Sequence, residues 1–268
     1  MAGVTKEEKI KQKNERTGMV NINHQGSEMK IIDYKDYHNI TIMFNDEYQY
    51  TMTTRLDYYL KGKPSNPYAP SVYGVGILGT EYKATINEKN TKEYDAWVGI
   101  LKRCYDEKYQ EKSPRYKGCT ICDEWKYYPI FHDWLHSQDN FTQWKKSNRS
   151  AVDKDILVKG NKHYSPETCC LVFDNINSLF VKNDSRRGEY PIGVHYNKAN
   201  GKYHAKMNDG TRHTIHIGFY NTSEEAFYAY KREKGKLIKD IAERDFKLGN
   251  ITKQCYDAMI KYQVEITD

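Results

Sequence analysis

Long apolar runs are missing. No stretch of about 18 consecutive apolar residues occurs, so no membrane-crossing helix is expected. The first residues, MAGVTKEEKIKQKNERTG, have no apolar centre, which predicts a charged, ragged or helical lead-in and no secretory signal. No repeat period and no low-complexity tract is visible, which argues against a solenoid. Phenylalanine is scarce, with 8 copies against 24 tyrosines. Tyrosine buries a ring while keeping a polar tip, so thin cores and wet interfaces are expected. Strong charge excess is missing too. The 268 residues carry a net charge of +6 with a pI of about 8.7, which permits a nucleic-acid partner without demanding one. Charged residues make up 29%, apolar residues 38%, and the mean hydropathy is −0.91, so each core should be small. Six irregularly spaced cysteines do not suggest a disulfide frame. They predict reduced thiols and a cytoplasmic chain.

What is present divides into modules of a mixed α+β chain. Residues 1–80 predict a small β module. Met29–Tyr34, Ile40–Phe44 and Tyr48–Met52 read as short strands, Asn45-Asp46 as a turn, and Lys61–Pro67 as a loop or linker. Residues 91–182 predict a central αβ module. Trp97, Ile100, Leu101 and Cys104 share a helix face, and Trp125–Leu135 predicts a second helix with Tyr128, Ile130, Phe131, Trp134 and Leu135 inward. Ser137–Arg149 reads as polar loop. A C-terminal reader is expected over 188–243 and a helical tail over 244–268, with Ala258, Met259 and Tyr262 on one side.

The candidate chemistry lies in Val152–Val172. Asp153 and Asp155 are two apart, so on a strand both carboxylates project to one face. Together with Asn161 they could hold a hard cation such as magnesium through oxygen ligands. The plainer reading stays open: a solvated strand face, or turn hydrogen bonds with Lys154 and Lys159. Cys119-Thr120-Ile121-Cys122 is a C-x-x-C. With Cys169-Cys170 it could make a structural zinc site, Cys104 replacing one of the four, although buried free thiols also fit. His132 and His136, one helical turn apart, are a further candidate pair.

The most informative stretch is Tyr190–Tyr230. Alternating runs Ile192–Tyr196, Lys202–Met207 and Thr214–Phe219 are separated by Asn200-Gly201 and Asp209-Gly210, both strong hairpin signals. Asn221-Thr222-Ser223-Glu224-Glu225 then opens a capped helix. A three-stranded meander plus one helix follows. Its face away from the helix is expected to carry His195, Lys198, Lys202, His204, Lys206, Arg212 and His213, a polar surface sized for a DNA groove.

This stretch resembles the DNA-binding domain of the plant ethylene-response factors, which also occurs in mobile-element endonucleases. The matching residues are Gly193-Val194, Lys202-Tyr203 with Ala205, His216–Phe219, Thr222–Ala226 and Ala229-Tyr230. Tyr203 stands where the plant domains carry Trp, and His195, Tyr196 and Lys198 replace the arginines of strand one. The resemblance therefore implies the fold and duplex DNA as partner, but no base code. The central region resembles HNH-like phage endonucleases, in Trp97 with Arg103-Cys104-Tyr105, Cys122–Trp125, Asp153-Lys154-Asp155 and Tyr164–Cys169. That resemblance implies a metal-dependent homing-type endonuclease in a bacterial or phage-infected cell, with Asp153, Lys154, Asp155 and His163 at the catalytic centre. Lys154 stands at the place of the general-base histidine, which leaves His163, or else His132 and His136, to deprotonate water. Two other roles follow from the same residues: a degenerate nuclease fold that regulates by binding DNA, and a phage factor that binds a host protein.

Overall fold

The computed structural model describes residues 5–180, 189–211 and 213–266, and the chain is a mixed α+β protein. It divides into two compact units. One comprises Met1–Lys89 with Lys126–Pro129, the other Asn90–Trp125 with Ile130–Asp268.

In the first unit, helix α1 (Lys6–Arg16) starts at Thr5. The Thr5 hydroxyl accepts from Glu8 N while the Glu8 carboxylate accepts from Thr5 N, a reciprocal capping box. Strands β1 (Val20–Ile22), β2 (Glu28–Asp36), β3 (Asn39–Phe44) and β4 (Thr51–Thr54) form an antiparallel meander in chain order. Alternation places Met29, Ile31, Ile40, Ile42 and Phe44 in the core with Leu56 and Tyr59 of α2 (Leu56–Leu60). A register shift between Ile31 and Asp33 turns Ile32 outward and returns Tyr34 to the core. The last strand begins later than Tyr48, because the Asp46 carboxylate accepts the N–H groups of Tyr48 and Gln49 and prolongs the turn. Lys61–Pro67 is a loop, as expected, and it is tied to the sheet. Asn66 is buried and donates to Asp46 at 2.6 Å, and Asn23 donates to Pro64 O.

In the second unit, α3 (Lys92–Tyr105) is capped by Thr91 and buries Trp97, Ile100, Leu101 and Cys104 as its spacing predicts. Helix α4 (Glu107–Lys112) follows directly. Helix α5 (Tyr128–His136), which belongs to this unit from Ile130 on, buries Phe131 and Leu135 but leaves Ile130 exposed. The stretch expected as polar loop contains α6 (Phe141–Lys146). Its anchor is buried Trp144, which donates from Nε1 to Ala151 O and lies under the Lys92 ammonium. Ser150–Asp153 pairs antiparallel with Cys170–Phe173, and Thr120–Ile121 pairs parallel with His163–Tyr164. Helix α7 (Asp174–Phe180) completes this part.

The C-terminal meander is as expected: Val194–Asn197, Lys202–Asn208 and Thr214–Tyr220, packed on the long helix Ser223–Lys247. Gly193 is required here. Its φ is +77°, and a Cβ would lie 2.2 Å from Cδ2 of Tyr230 on the helix. The expected helical tail forms over Lys253–Lys261, and it packs together with the second half of the long helix. Ile238, Ile241, Ala242, Ile251, Cys255 and Met259 share one core with Ile156, Cys170, Val172, Ile176 and Leu179. Apart from Lys126–Pro129, the central, reader and tail residues fall in one compact unit, which this shared core joins.

Candidate functional site

Asp153, Lys154, Asp155, Asn161 and His163 lie on the segment from the end of one strand (Ser150–Asp153) to the start of the next (His163–Tyr164), and hydrogen bonds engage each of them. The strand ends at Asp153, so Asp155 is not on it and the shared-face argument does not apply. Asp153 Oδ1 accepts from the backbone N–H groups of Asp155 (2.7 Å) and Ile156 (2.9 Å), which folds the chain back in a tight turn. Burial pushes the Asp153 carboxyl above its ordinary range, outweighing those two donors. Lys154 points inward and is buried. Its ammonium donates to Asp155 Oδ1 at 2.7 Å and to Asn161 O at 2.6 Å. Asn161 donates to Lys154 O and His163 O and accepts from His163 N. His163 Nδ1 sits 2.8 Å from Thr120 Oγ1. The Thr168 hydroxyl donates to His163 O.

Among the described residues, the cysteines do not gather into a zinc site. Among the described residues, the one group of three or more His, Cys, Asp or Glu with ligand atoms within 4.8 Å of one another is Glu93, His132 and His136. Neither Cys104, Cys119, Cys122 and Cys169 nor Asp153, Asp155 and His163 gather so closely. Cys170 turns to the opposite core and meets Cys255. Burial pushes the thiols of Cys104 and Cys169 up to about 12 and that of Cys122 to about 11, so they stay protonated at neutral pH.

The Glu93–His132–His136 group can hold a metal ion. Glu93, in the first turn of α3, is 3% exposed. His136 Nε2 lies 3.3 Å from Glu93 Oε1, and the imidazoles of His132 and His136 stack with centroids 4.1 Å apart. Lys145 of α6 donates to the same Oε1 at 2.6 Å. Burial opposes ionisation of Glu93, but the Lys145 and His136 bonds and its own backbone N–H outweigh it and hold the carboxyl below its ordinary range. Burial, with His136 alongside, lowers His132. The i, i+4 histidine pair was legible in the sequence. Glu93 was not, because an acidic residue in a first helical turn is ordinary.

On the C-terminal sheet, register decides the faces. Val194, Ala205 and Gly218 stand opposite one another on the helix side, and His195, His204 and Phe219 on the outer side. A register shift between Ala205 and Lys206 sets Lys206 opposite His216. His195, Lys202, His204 and Lys206 are thus outward, as expected, and Lys198 and His213 are exposed in the turns. Arg212 lies outside the described residues. Tyr196 alternates to the Val194 side and meets the rings of Tyr190 and Tyr203. Two outward residues were missed, His216 and Phe219. Their rings stack on His204 at 5.0 and 4.5 Å, and Phe219 is 48% exposed. An outward Phe in an alternating strand is a signal that sequence alone offers. The bulge that turns His216 outward is not. Burial first, then Lys206 beside His195 and His216 beside His204, lowers these two imidazoles, so the lysines carry the charge of this face at neutral pH.

The chain matches no family model, no curated protein and no solved structure.

Proposed function

We propose that the chain binds double-stranded DNA through the outward face of its C-terminal sheet. The observation that carries this reading is the face itself. Lys202 and Lys206 on the outward face and Lys198 in the adjoining turn accompany an exposed stack of His216, His204 and Phe219 beside His195, on a meander packed against one long helix. The lysines suit phosphates, and the imidazoles of His195 and His204, lowered by burial, offer a donor and an acceptor to base edges. Fluorescence anisotropy with labelled duplex DNA tests it. Binding should be retained at about 50 mM salt and weakened in a Lys202→Ala, Lys206→Ala double variant. Absence of duplex binding at that salt refutes it.

A second reading is a metal-dependent homing-type endonuclease of the HNH-like kind. It is supported by the chain of hydrogen bonds that links Asp153 and Asp155 through Lys154 and Asn161 to His163. Magnesium would be the ion suited to such oxygen ligands. The internal bonding of that segment favours the binding role over hydrolysis: Asp153 Oδ1 is taken by two N–H groups and Asp155 by the Lys154 ammonium. Magnesium-dependent nicking of plasmid DNA, abolished by Asp155→Asn, would decide for hydrolysis.

A further inference from the structure

We propose that Glu93, His132 and His136 form a site for a borderline transition-metal dication of the zinc and cobalt(II) class, and that the Lys145 ammonium competes with the metal for the Glu93 carboxylate. Each residue offers one ligand atom, and the three lie within 4.8 Å of one another. Zinc bonds of about 2.0–2.2 Å place tetrahedral ligands about 3.4 Å apart. The His136 Nε2 to Glu93 Oε1 separation of 3.3 Å already meets that, and His132 has only to close in. Histidines four apart on one helix face are a spacing that chelates zinc. Two imidazoles and one carboxylate suit zinc or cobalt rather than magnesium or calcium, which prefer all-oxygen sites.

An independent observation points the same way. Glu93 Oε2 is buried and accepts no hydrogen bond among the described residues. Oε1, by contrast, attracts a cation, the Lys145 ammonium at 2.6 Å. A dication would engage the carboxylate more fully than the ammonium does. The Lys145 side chain is 51% exposed and free to swing into solvent, and the 40% exposed His136 gives an ion a route in. Three protein ligands would leave a fourth position for water. The site joins α3 to α5 and does not depend on the DNA reading.

The test is a cobalt(II) titration of the untagged full chain, followed by its visible d–d absorption, with zinc displacement. Saturation at one equivalent is expected. His136→Asn and His132→Asn should each weaken it by at least about tenfold. Lys145→Met, which removes the competitor, should tighten it. Cys122→Ser should leave it unchanged, separating this site from the thiols. Absence of saturable binding, binding indifferent to both histidine variants, loss in Cys122→Ser, or no tightening in Lys145→Met each overturns the proposal. The His136 variant changes a partly exposed side chain, so a folding defect in a more buried variant does not block the test.

Discussion

Replacing Asp153 separates a structural carboxylate from a catalytic one. Its Oδ1 accepts two backbone N–H groups, of Asp155 and Ile156, and the Ile156 bond is fully buried. Asp153→Ala leaves both donors without an acceptor, at about 1–3 kcal/mol each, so about 2–6 kcal/mol in total. That is a large share of a domain's usual 5–15 kcal/mol (roughly) of stability. Asp153→Asn keeps an Oδ1 in the same place. Burial already disfavours the ionised form of this carboxyl, so the neutral amide should cost no more than about 1.5 kcal/mol, one ordinary hydrogen bond. The sign with pH follows. A carboxyl whose folded pKa is raised loses stability for the fold as pH climbs from the ordinary 3.8 through that raised value, and the Asn variant should lack this loss. Urea unfolding followed by the fluorescence of buried Trp97, Trp125 and Trp144 measures all three. The reasoning fails if Asn costs as much as Ala, or if Ala costs under about 1 kcal/mol.

Three lysines on the outer sheet face, each neutralising one phosphate, give a slope of log affinity against log salt of about −2.7. Duplex binding should fall about 40-fold between about 50 and 200 mM salt. His195 and His204 titrate below 6.5 in the free chain, and a nearby phosphate raises them. Affinity should therefore rise as pH falls below that value, and a flat anisotropy profile from pH 7.5 to 5.5 would count against this face. Lys234 is 4% exposed, and burial lowers its ammonium from 10.5 to about 8. The protonated chain bears this penalty in full below about pH 8 and sheds it as pH rises to 10.5, so Lys234→Met should stabilise at pH 7 by up to about 3 kcal/mol in urea unfolding. Gly193→Ala combines a left-handed backbone with a clash against Tyr230, and should cost about 2–5 kcal/mol in the same assay.

Much of the C-terminal module was legible because its signals are local. Gly201 and Gly210 adopt φ of +65° and +91° at the two hairpin turns. Thr222 and Glu225 form the capping box ahead of the long helix. Each feature is fixed within four residues, where the sequence period and the backbone's allowed angles suffice. The α3 face of Trp97, Ile100, Leu101 and Cys104 was legible for the same reason.

The rest depends on residues far apart in the chain. Trp144 made a helix of an apparent loop by donating to Ala151 and receiving the Lys92 ammonium, 52 positions upstream of its carbonyl. Asp153 and Asp155 had the spacing for convergent carboxylates. Which atoms they meet was settled only when the strand ended and Lys154 turned inward to Asn161 O. Glu93 reaches His136 across 43 residues and Lys145 across 52, so no period or motif joins them. The sequence by itself determined the α+β character, the turns, the caps and the exposed basic strands, since these follow from backbone geometry over a few residues. Only the tertiary structure decided which side chains share a site. That choice depends on packing helices and strands against one another, and on the bulge after Ala205 that turns His216 to the outer face.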